Sequence, residues 1–202
     1  MGAQTLKTIR MPAEERREQL LDATKAIVSR DGFHAVSIEA VAREGGVSRP
    51  IVYGHFHDLP GLLEALVDRE GTRALGQLAE VLPRDLSSGD PRENLLAGLR
   101  GYLAAAEADP VTWRLVLMPP EGAPDVLRER VAAGRAAVLA QLAETVGGGF
   151  GPSVSPDPEL TARMLSTLAD ESARLVLTDP ERYPPERVVE HARWALGLIG
   201  PR

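Results

Sequence analysis

Apolar residues recur along most of the chain at the spacing that places them on one face of an α-helix. The first such segment runs from about Pro12 to Arg30, and its inner face would carry Leu20, Leu21, Thr24, Ile27 and Val28. Further segments run from about 59 to 82, 90 to 103, 109 to 118, 124 to 146, 157 to 178 and 185 to 199. The sequence has no strand-like alternation of useful length. With two short helices described below, the pattern predicts an all-α fold of about nine helices.

Aspartates followed by proline mark the starts of several of these helices. Asp90-Pro91, Asp109-Pro110 and Asp157-Pro158 each have the residue types of an N-cap and a first helical turn, and Asp58 is placed to cap the helix that follows it. The glycine-rich stretch from Gly147 to Pro158 predicts a loop between two helices.

The stretch from Ser37 to Phe56 contains two short helical patterns separated by Gly45-Gly46. Glycine readily adopts the left-handed backbone that ends a helix sharply, and Ser37 and Ser48 are the residue type that caps a helix start. Two helices joined by a tight turn with glycine form a helix-turn-helix, whose second helix enters the major groove of DNA.

The second helix of this motif has a chemistry that suits DNA. Arg49 can pair with a guanine edge, and Pro50 or Ile51 can contact a thymine methyl. Tyr53 and His55 can donate to phosphates. The candidate DNA-binding residues are Ser37, Ser48, Arg49, Pro50, Ile51, Tyr53, Gly54 and His55. A plain helical hairpin with solvated polar residues stays open from the pattern alone.

The residues around this motif resemble the TetR family of transcriptional regulators. The resemblance is carried by Gly46-Val47-Ser48, Val52-Tyr53, His55-Phe56 and Leu62-Leu63, and upstream by the run from Gly32 to Ile38. The matching motifs cover about Glu14 to Leu66. One position departs from the family: Leu59 stands where a lysine usually opens the next helix, so the phosphate contact of that lysine is missing.

The resemblance implies a function, a domain division and an assembly. Residues 1–58 would be a three-helix DNA-binding head, and residues 59–202 a regulatory domain that binds a ligand and dimerises. The chain would then be a repressor that binds a palindromic operator as a homodimer and is released by a small-molecule effector. The helices at about 158–178 and 185–199 would pair with those of the partner in a four-helix bundle.

Four large side chains on the central helices are candidates for lining the effector pocket: Tyr102, Trp113, Met118 and Met164. Pockets for small molecules are lined mainly by apolar and aromatic side chains. Such residues on an apolar helix face are more often simply core, so that alternative stays open for each. The sequence does not indicate which molecule is bound.

The distribution of charge differs between the two predicted domains. The chain carries a net charge of −6. Residues 1–58 contain 8 Lys and Arg against 8 Asp and Glu, so the head is neutral and the rest of the chain carries the excess acid. DNA binding therefore requires basic residues gathered on one face of the head, and Lys7, Arg10, Arg43 and Arg49 are the candidates.

Other functional classes have less support. The chain has no cysteine, which excludes disulfides, thiolate zinc sites and cysteine nucleophiles. His34, His55, His57 and His191 lack metal-ligand spacing, and no cofactor is expected. Asp170-Glu171 with Arg163 and Arg174 form a polar group that ion pairs explain equally well. An all-helical enzyme and a protein–protein adaptor stay open as alternatives.

The sequence predicts no membrane partner. No apolar run reaches the length of a membrane span, and the first residues lack the apolar core of a signal peptide. We therefore expect a cytoplasmic protein.

Overall fold

The computed structural model of the chain describes residues 11–82, 89–118, 125–152 and 155–198. Its helices are α1 (Ala13–Asp31), α2 (Ile38–Glu44), α3 (Arg49–Phe56), α4 (Leu59–Val81), α5 (Pro91–Ala108), α6 (Pro110–Leu117), α7 (Asp125–Gly149), α8 (Pro158–Thr178) and α9 (Pro185–Leu198). A short 3-10 turn, Phe33–Ala35, links α1 to α2. Within the described ranges there is no strand, which confirms the predicted all-α class with nine α-helices.

The chain divides into two compact units, one ending at Leu66 and one beginning at Val67. We call the first the head and the second the body. The division falls inside α4, which therefore contributes residues to both. The expected contacts of Lys7 and Arg10 lie outside the described residues, as does Ile199 at the end of the last predicted helix.

The head is built around the apolar face of α1. The five predicted inner residues are all buried: Leu20, Leu21, Thr24, Ile27 and Val28. Val41 of α2 and Val52 and Phe56 of α3 are buried too, Val41 and Val52 fully. Helix α2 contacts both α1 and α3. The Thr24 hydroxyl donates to the Leu20 carbonyl at 2.7 Å, so this polar group enters the core satisfied.

The two glycines between α2 and α3 have different roles. Gly46 has a φ of 63°, the left-handed backbone that favours glycine. Gly45 has a φ of −80° and lies where space is tight, since a Cβ there would be 3.0 Å from the Leu20 side chain and 3.2 Å from the Val41 carbonyl oxygen. Only Gly46 thus fits the predicted backbone role. Ser37 caps α2 by accepting the Ala40 N–H at 3.1 Å, whereas Ser48 holds the N-cap position of α3 without a capping side-chain hydrogen bond.

A tight turn joins α3 to α4. His57 has a φ of 66°, and the Asp58 N–H donates to the Phe56 carbonyl at 2.8 Å, so His57 is the centre of a γ-turn. The Asp58 carboxylate accepts the Gly61 N–H at 2.8 Å, which confirms the predicted cap. A Cβ on Gly61 would lie 2.5 Å from the Phe56 carbonyl oxygen, so glycine is what allows α4 to start this close to α3.

The main core of the body surrounds α5, which packs against α8 and α9. Its buried members include Leu96, Leu103, Trp113 and Val176. A smaller cluster joins α7 and α8 through Leu142, Val146 and Ala162.

Two predictions in the body are wrong in detail. Asp109 precedes α6, yet its side chain does not cap that helix; its carboxylate is buried and pairs with Arg73 of α4 at 2.5 Å. The predicted loop at Gly147 begins instead as helix, because α7 continues to Gly149. Phe150 explains the extension: its N–H donates to the Val146 carbonyl at 2.9 Å, and its ring packs on the small cluster of α7 and α8.

Candidate DNA interface and ligand cavity

Helix α3 buries one face and exposes the other. Val52 and Phe56 hold it to the head, and the guanidinium of Arg17 lies 5.0 Å above the Phe56 ring. The exposed side chains of α3 and its N-cap include those predicted to contact DNA: Ser48, Arg49, Pro50, Ile51 and Tyr53. Gly54 is exposed with no atom near a hypothetical Cβ, and His55 is half-buried. Ser37 lies apart from α3 in sequence, at the start of α2, where its hydroxyl serves as a cap.

Arg49 lies in a shallow depression formed by α2 and the start of α3. Arg43 lines the same depression, so two of the predicted basic residues share one surface. Glu39 lines it too, and its carboxylate lies 3.5 Å from the Arg49 guanidinium. Both side chains are more than 60% exposed, and such surface ion pairs contribute only about 0–1 kcal/mol. Arg49 can therefore exchange Glu39 for a DNA acceptor at little cost.

A second depression adds a residue that the sequence did not single out. The start of α1 meets the exposed face of α3 there, and Arg16 lines it with Ile51 and His55. Arg16 donates to the Gln19 side chain at 2.6 Å, and Gln19 donates to the Gly45 carbonyl at 3.3 Å. These bonds fix Arg16 relative to the turn between α2 and α3. Arg16 lies on α1, away from the motif, so the pattern of the motif does not indicate it.

The body contains a cavity of about 410 Å³ between α4, α5, α6, α7 and α8. Of the four candidate pocket residues, Tyr102 and Trp113 line it, whereas Met118 and Met164 do not. Met118 packs against the main core, and Met164 is 59% exposed on α8. Leu75 of α4 also lines this cavity and is 42% exposed.

Two aromatic rings and the side chain of Asp170 form part of the cavity wall. The rings of Tyr102 and Trp113 meet edge to face with centroids 4.9 Å apart. The Trp113 indole donates to the Gln77 side chain of α4 at 2.8 Å, and the Tyr102 hydroxyl donates to Asp170 at 3.0 Å. Burial, and then the Asp170 carboxylate, raises the pKa of Tyr102 above its ordinary value, so the phenol stays neutral.

Asp170 has a partner that the sequence did not predict. Its second oxygen lies 2.6 Å from the guanidinium of Arg135 on α7. Of the arginines expected beside it, Arg163 pairs with Glu159 at 3.6 Å and Arg174 with Glu171 at 3.2 Å. Asp170 therefore belongs to the cavity wall.

Helices α8 and α9 expose large apolar side chains. Leu160, Met164 and Leu168, spaced at four residues on α8, are 53%, 59% and 65% exposed. On α9, Trp194 is 61% exposed and its ring lies 5.2 Å from that of His191. Clustered exposed apolar side chains of this kind mark surfaces that contact another molecule.

The described residues were expected to form neither a metal site nor a membrane span. They contain no group of three or more His, Cys, Asp or Glu arranged to hold a metal ion. Across residues 11–82, 89–118, 125–152 and 155–198, every helix is too short or too polar to span a lipid bilayer.

Comparison with known sequences identifies similarity in the N-terminal half. Residues 20–66 match the family model for bacterial regulatory proteins of the tetR family. The HTH-type transcriptional regulator BetI of Yersinia pestis is 42% identical over 86 residues, 43% of this chain and 43% of that protein. The HTH-type transcriptional activator FasR of Mycolicibacterium smegmatis is 30% identical over 107 residues, 53% of this chain and 48% of that protein. The match thus spans less than half the length of these two relatives.

Similarity of fold extends further. A TetR-like transcriptional regulator from Rhodococcus sp. RHA1 superimposes with a TM-score of 0.73 at 26% identity, covering 95% of this chain and all of that one. The body of this chain therefore has the helical layout of such a regulator, although the family model matches only residues 20–66.

Proposed function

The chain belongs to the TetR family of transcriptional regulators, and we propose that it is a repressor that binds a palindromic operator as a homodimer and is released by a small-molecule effector. The observation that carries the proposal is helix α3, which buries Val52 and Phe56 and presents a polar, basic and aromatic face outward. This is the arrangement of a recognition helix.

Support for DNA binding lies in the residues on that face. Arg43 and Arg49 share one depression, and Arg16 lines another beside His55. The head has no net charge, so attraction to DNA phosphates requires its basic residues to be gathered on one face. Ser48, Arg49, Pro50 and Ile51 lie at the start of α3, the end from which recognition helices contact bases.

The exposed apolar side chains of α8 and α9 support the homodimer. Leu160, Met164, Leu168 and Trp194 would be covered if the two helices packed against the same helices of a second copy. A two-fold dimer repeats one surface on both partners and would present two heads to two half-sites. A palindromic operator follows from that symmetry.

The cavity of the body supports an effector site. Its volume of about 410 Å³ lies within the range of small-molecule sites, and its wall combines apolar side chains with a few polar groups. We assign Tyr102 and Trp113 to this site. Met164 is better explained by the exposed face of α8.

Selection of bound sequences from random double-stranded DNA, using the full chain, tests the function. We expect enrichment of two inverted half-sites separated by about one helical turn. A reporter under a promoter carrying the selected site then separates repression from the activation that the name of FasR records for that relative. Failure to enrich any sequence would contradict the proposal and favour the enzyme or adaptor alternative. A cytoplasmic location is part of the proposal, because bacterial DNA lies in the cytoplasm.

A further inference from the structure

The charged side chains that line the cavity are paired within the protein. Arg130 lies 2.9 Å from Asp68 on α4, and Arg135 lies 2.6 Å from Asp170 on α8. Asp170 also accepts the hydroxyl of Tyr102, so both of its oxygens are engaged. Arg130, Arg135 and Asp170 line the cavity, and Asp68 lies just outside the lining. These four side chains form two ion pairs and together carry no net charge.

This pairing disfavours an anionic ligand at either arginine. Arg130 and Asp68 are 54% and 48% exposed, so solvent screens Arg130 and an anion would gain little there. Arg135 is held by a less exposed partner. An anion would have to compete with Asp170 for the guanidinium of Arg135. The Asp170 side chain is only 14% exposed and would keep only the neutral hydroxyl of Tyr102 as a partner. A mostly buried carboxylate without its counter-ion is strongly destabilising.

A cationic ligand gains nothing by the opposite exchange. It would replace Arg135 at Asp170 and so exchange one ion pair for another. The incoming cation would also lose its hydration in a cavity lined largely by Leu75, Leu78, Val138 and other apolar side chains. The exchange therefore leaves an uncompensated desolvation cost.

An uncharged ligand with an oxygen acceptor avoids both costs. The guanidinium of Arg135 carries five N–H donors, more than the oxygens of Asp170 can accept, and its Nη2 lies 2.6 Å from Asp170. The hydroxyl of Ser166 lines the same wall. These groups can donate to a ligand oxygen while the ion pair stays intact.

We propose that the cavity binds an uncharged, mainly apolar molecule with a carbonyl oxygen, which accepts hydrogen bonds at Arg135 while its hydrocarbon part lies against Leu75, Leu78 and Val138. This assignment rests on the effector site of the proposed function and specifies the chemical class of the effector.

Three probes of equal chain length test the assignment: 2-decanone, decanoate and decylammonium. Each is titrated into the full chain by calorimetry, the ions below their micelle concentrations and the ketone below its solubility limit. We expect the ketone to bind at least about tenfold more tightly than either ion, a difference of about 1.4 kcal/mol. Equal or tighter binding of decanoate or decylammonium overturns the proposal. So does a failure of the ketone to bind.

Variants show whether the ion pair sets this preference. In Arg135→Met, Asp170 loses its counter-ion. The affinity for the ketone should therefore fall several-fold, and the affinity for decylammonium should rise. Arg128→Met is the matched control, since Arg128 is on the same helix, pairs with Asp125 and does not line the cavity. An unchanged order of the probes in Arg135→Met would overturn the role given to the pair.

Filling the cavity shows where the ketone binds. Val138→Trp on α7 and Leu75→Trp on α4 should each abolish ketone binding. Thermal unfolding identifies a variant that has lost its fold, and the other variant then provides the test. Ketone binding that survives in a folded filled variant overturns the proposal.

DNA retention measured without any probe separates this inference from the proposed function. Intact DNA binding with a failed ketone titration overturns the ligand class alone. If the unsubstituted chain does not bind DNA, the proposed regulator function is contradicted. The calorimetric result then still decides which class of ligand the cavity binds.

Discussion

Two glycines in the head look interchangeable in the sequence but differ in their surroundings. A Cβ on Gly61 would meet the backbone carbonyl of Phe56 at 2.5 Å, whereas a Cβ on Gly54 would meet nothing within 4 Å. Backbone cannot move aside as the end of a flexible side chain can. We expect Gly61→Ala to destabilise the head by about 1–3 kcal/mol through overpacking.

Gly54→Ala is the matched control. Gly54 lies inside α3 and is exposed, so alanine should stabilise that helix by about 0.5–1 kcal/mol. Amide hydrogen exchange of α1 to α3 measures both changes as local unfolding free energies. If the two variants moved stability in the same direction, the contact at Gly61 would have no energetic role.

Arg49 and His55 are expected to contact different parts of DNA. Arg49→Ala should cost about 1–3 kcal/mol on the preferred operator and relax the preference at one base position. His55→Ala should weaken all sequences about equally, because a phosphate contact carries no base identity. Binding titrations on the selected operator and its single-base variants distinguish the two.

Removal of a head charge outside the proposed interface provides the control for Arg49. Arg30 is exposed at the end of α1 and is held by Asp31 and Glu44, so Arg30→Ala should change operator binding little. Equal loss on every sequence in Arg49→Ala would place its guanidinium at a phosphate. Glu39 faces Arg49, so Glu39→Gln should strengthen binding at low salt by removing a negative charge from the interface.

Residue roles that depend on local sequence were predicted well. Ser37, Asp58, Asp90 and Asp157 cap helices as expected, because a cap requires only the next few backbone N–H groups. Asp109 has the same sequence signal but pairs with Arg73, which comes from another helix. A single sequence contains no record of that tertiary competitor.

At the scale of helices, periodicity was sufficient to predict the elements but insufficient to predict the cavity. The inner face of α1 was predicted correctly because that face is covered along its length. The cavity is a gap among five helices, and its position depends on how their side chains mesh. That is why Met118 and Met164 were expected in the cavity wall and Arg135 was not predicted beside Asp170.

Helix α8 carries the prediction on assembly. Met164→Asp and Leu168→Asp each place a charge on the exposed apolar face, which the proposed dimer would bury without a partner. We expect either variant to shift the chain to monomer in sedimentation at micromolar concentration.

The control for this prediction is Ala136→Asp, which adds the same charge at an exposed position of α7 that does not line the cavity. It should leave the dimer intact. A monomeric unsubstituted chain, or dimers unaffected by both α8 variants, would contradict the proposed interface.

At the scale of the whole chain, α4 is the element shared by head and body. Leu59 begins it, at the position where the family usually has a lysine, so operator binding should depend more on Tyr53 and His55. Further along, α4 is tied to α6 within the body: Thr112 and Glu70 are hydrogen-bonded, and Trp113 donates to Gln77 at 2.8 Å. Trp113 also lines the cavity, so one side chain contacts both the proposed ligand and α4.

This shared side chain leads to a prediction about coupling. A ligand shifts a conformational equilibrium only if it binds one state better than the other. By linkage, operator DNA must weaken the ligand by the same factor as the ligand weakens DNA, typically about 5–150-fold. Calorimetric titration of 2-decanone into free protein and into operator-saturated protein measures that factor directly. Identical affinities would contradict the proposed release of DNA by the ligand.

Two variants test whether the bond between Trp113 and Gln77 carries the coupling. Gln77 does not line the cavity, so Gln77→Leu removes the hydrogen bond while leaving the cavity wall unchanged. Trp113→Phe removes the same bond and keeps an aromatic ring in the wall. We expect both variants to bind 2-decanone when free of DNA. The ratio of the 2-decanone affinity of the free protein to that of the operator-saturated protein should be smaller than in the unsubstituted chain. A ratio equal to that of the unsubstituted chain in both would mean that coupling reaches α4 through other contacts, of which the buried Glu70–Thr112 hydrogen bond is the next to test.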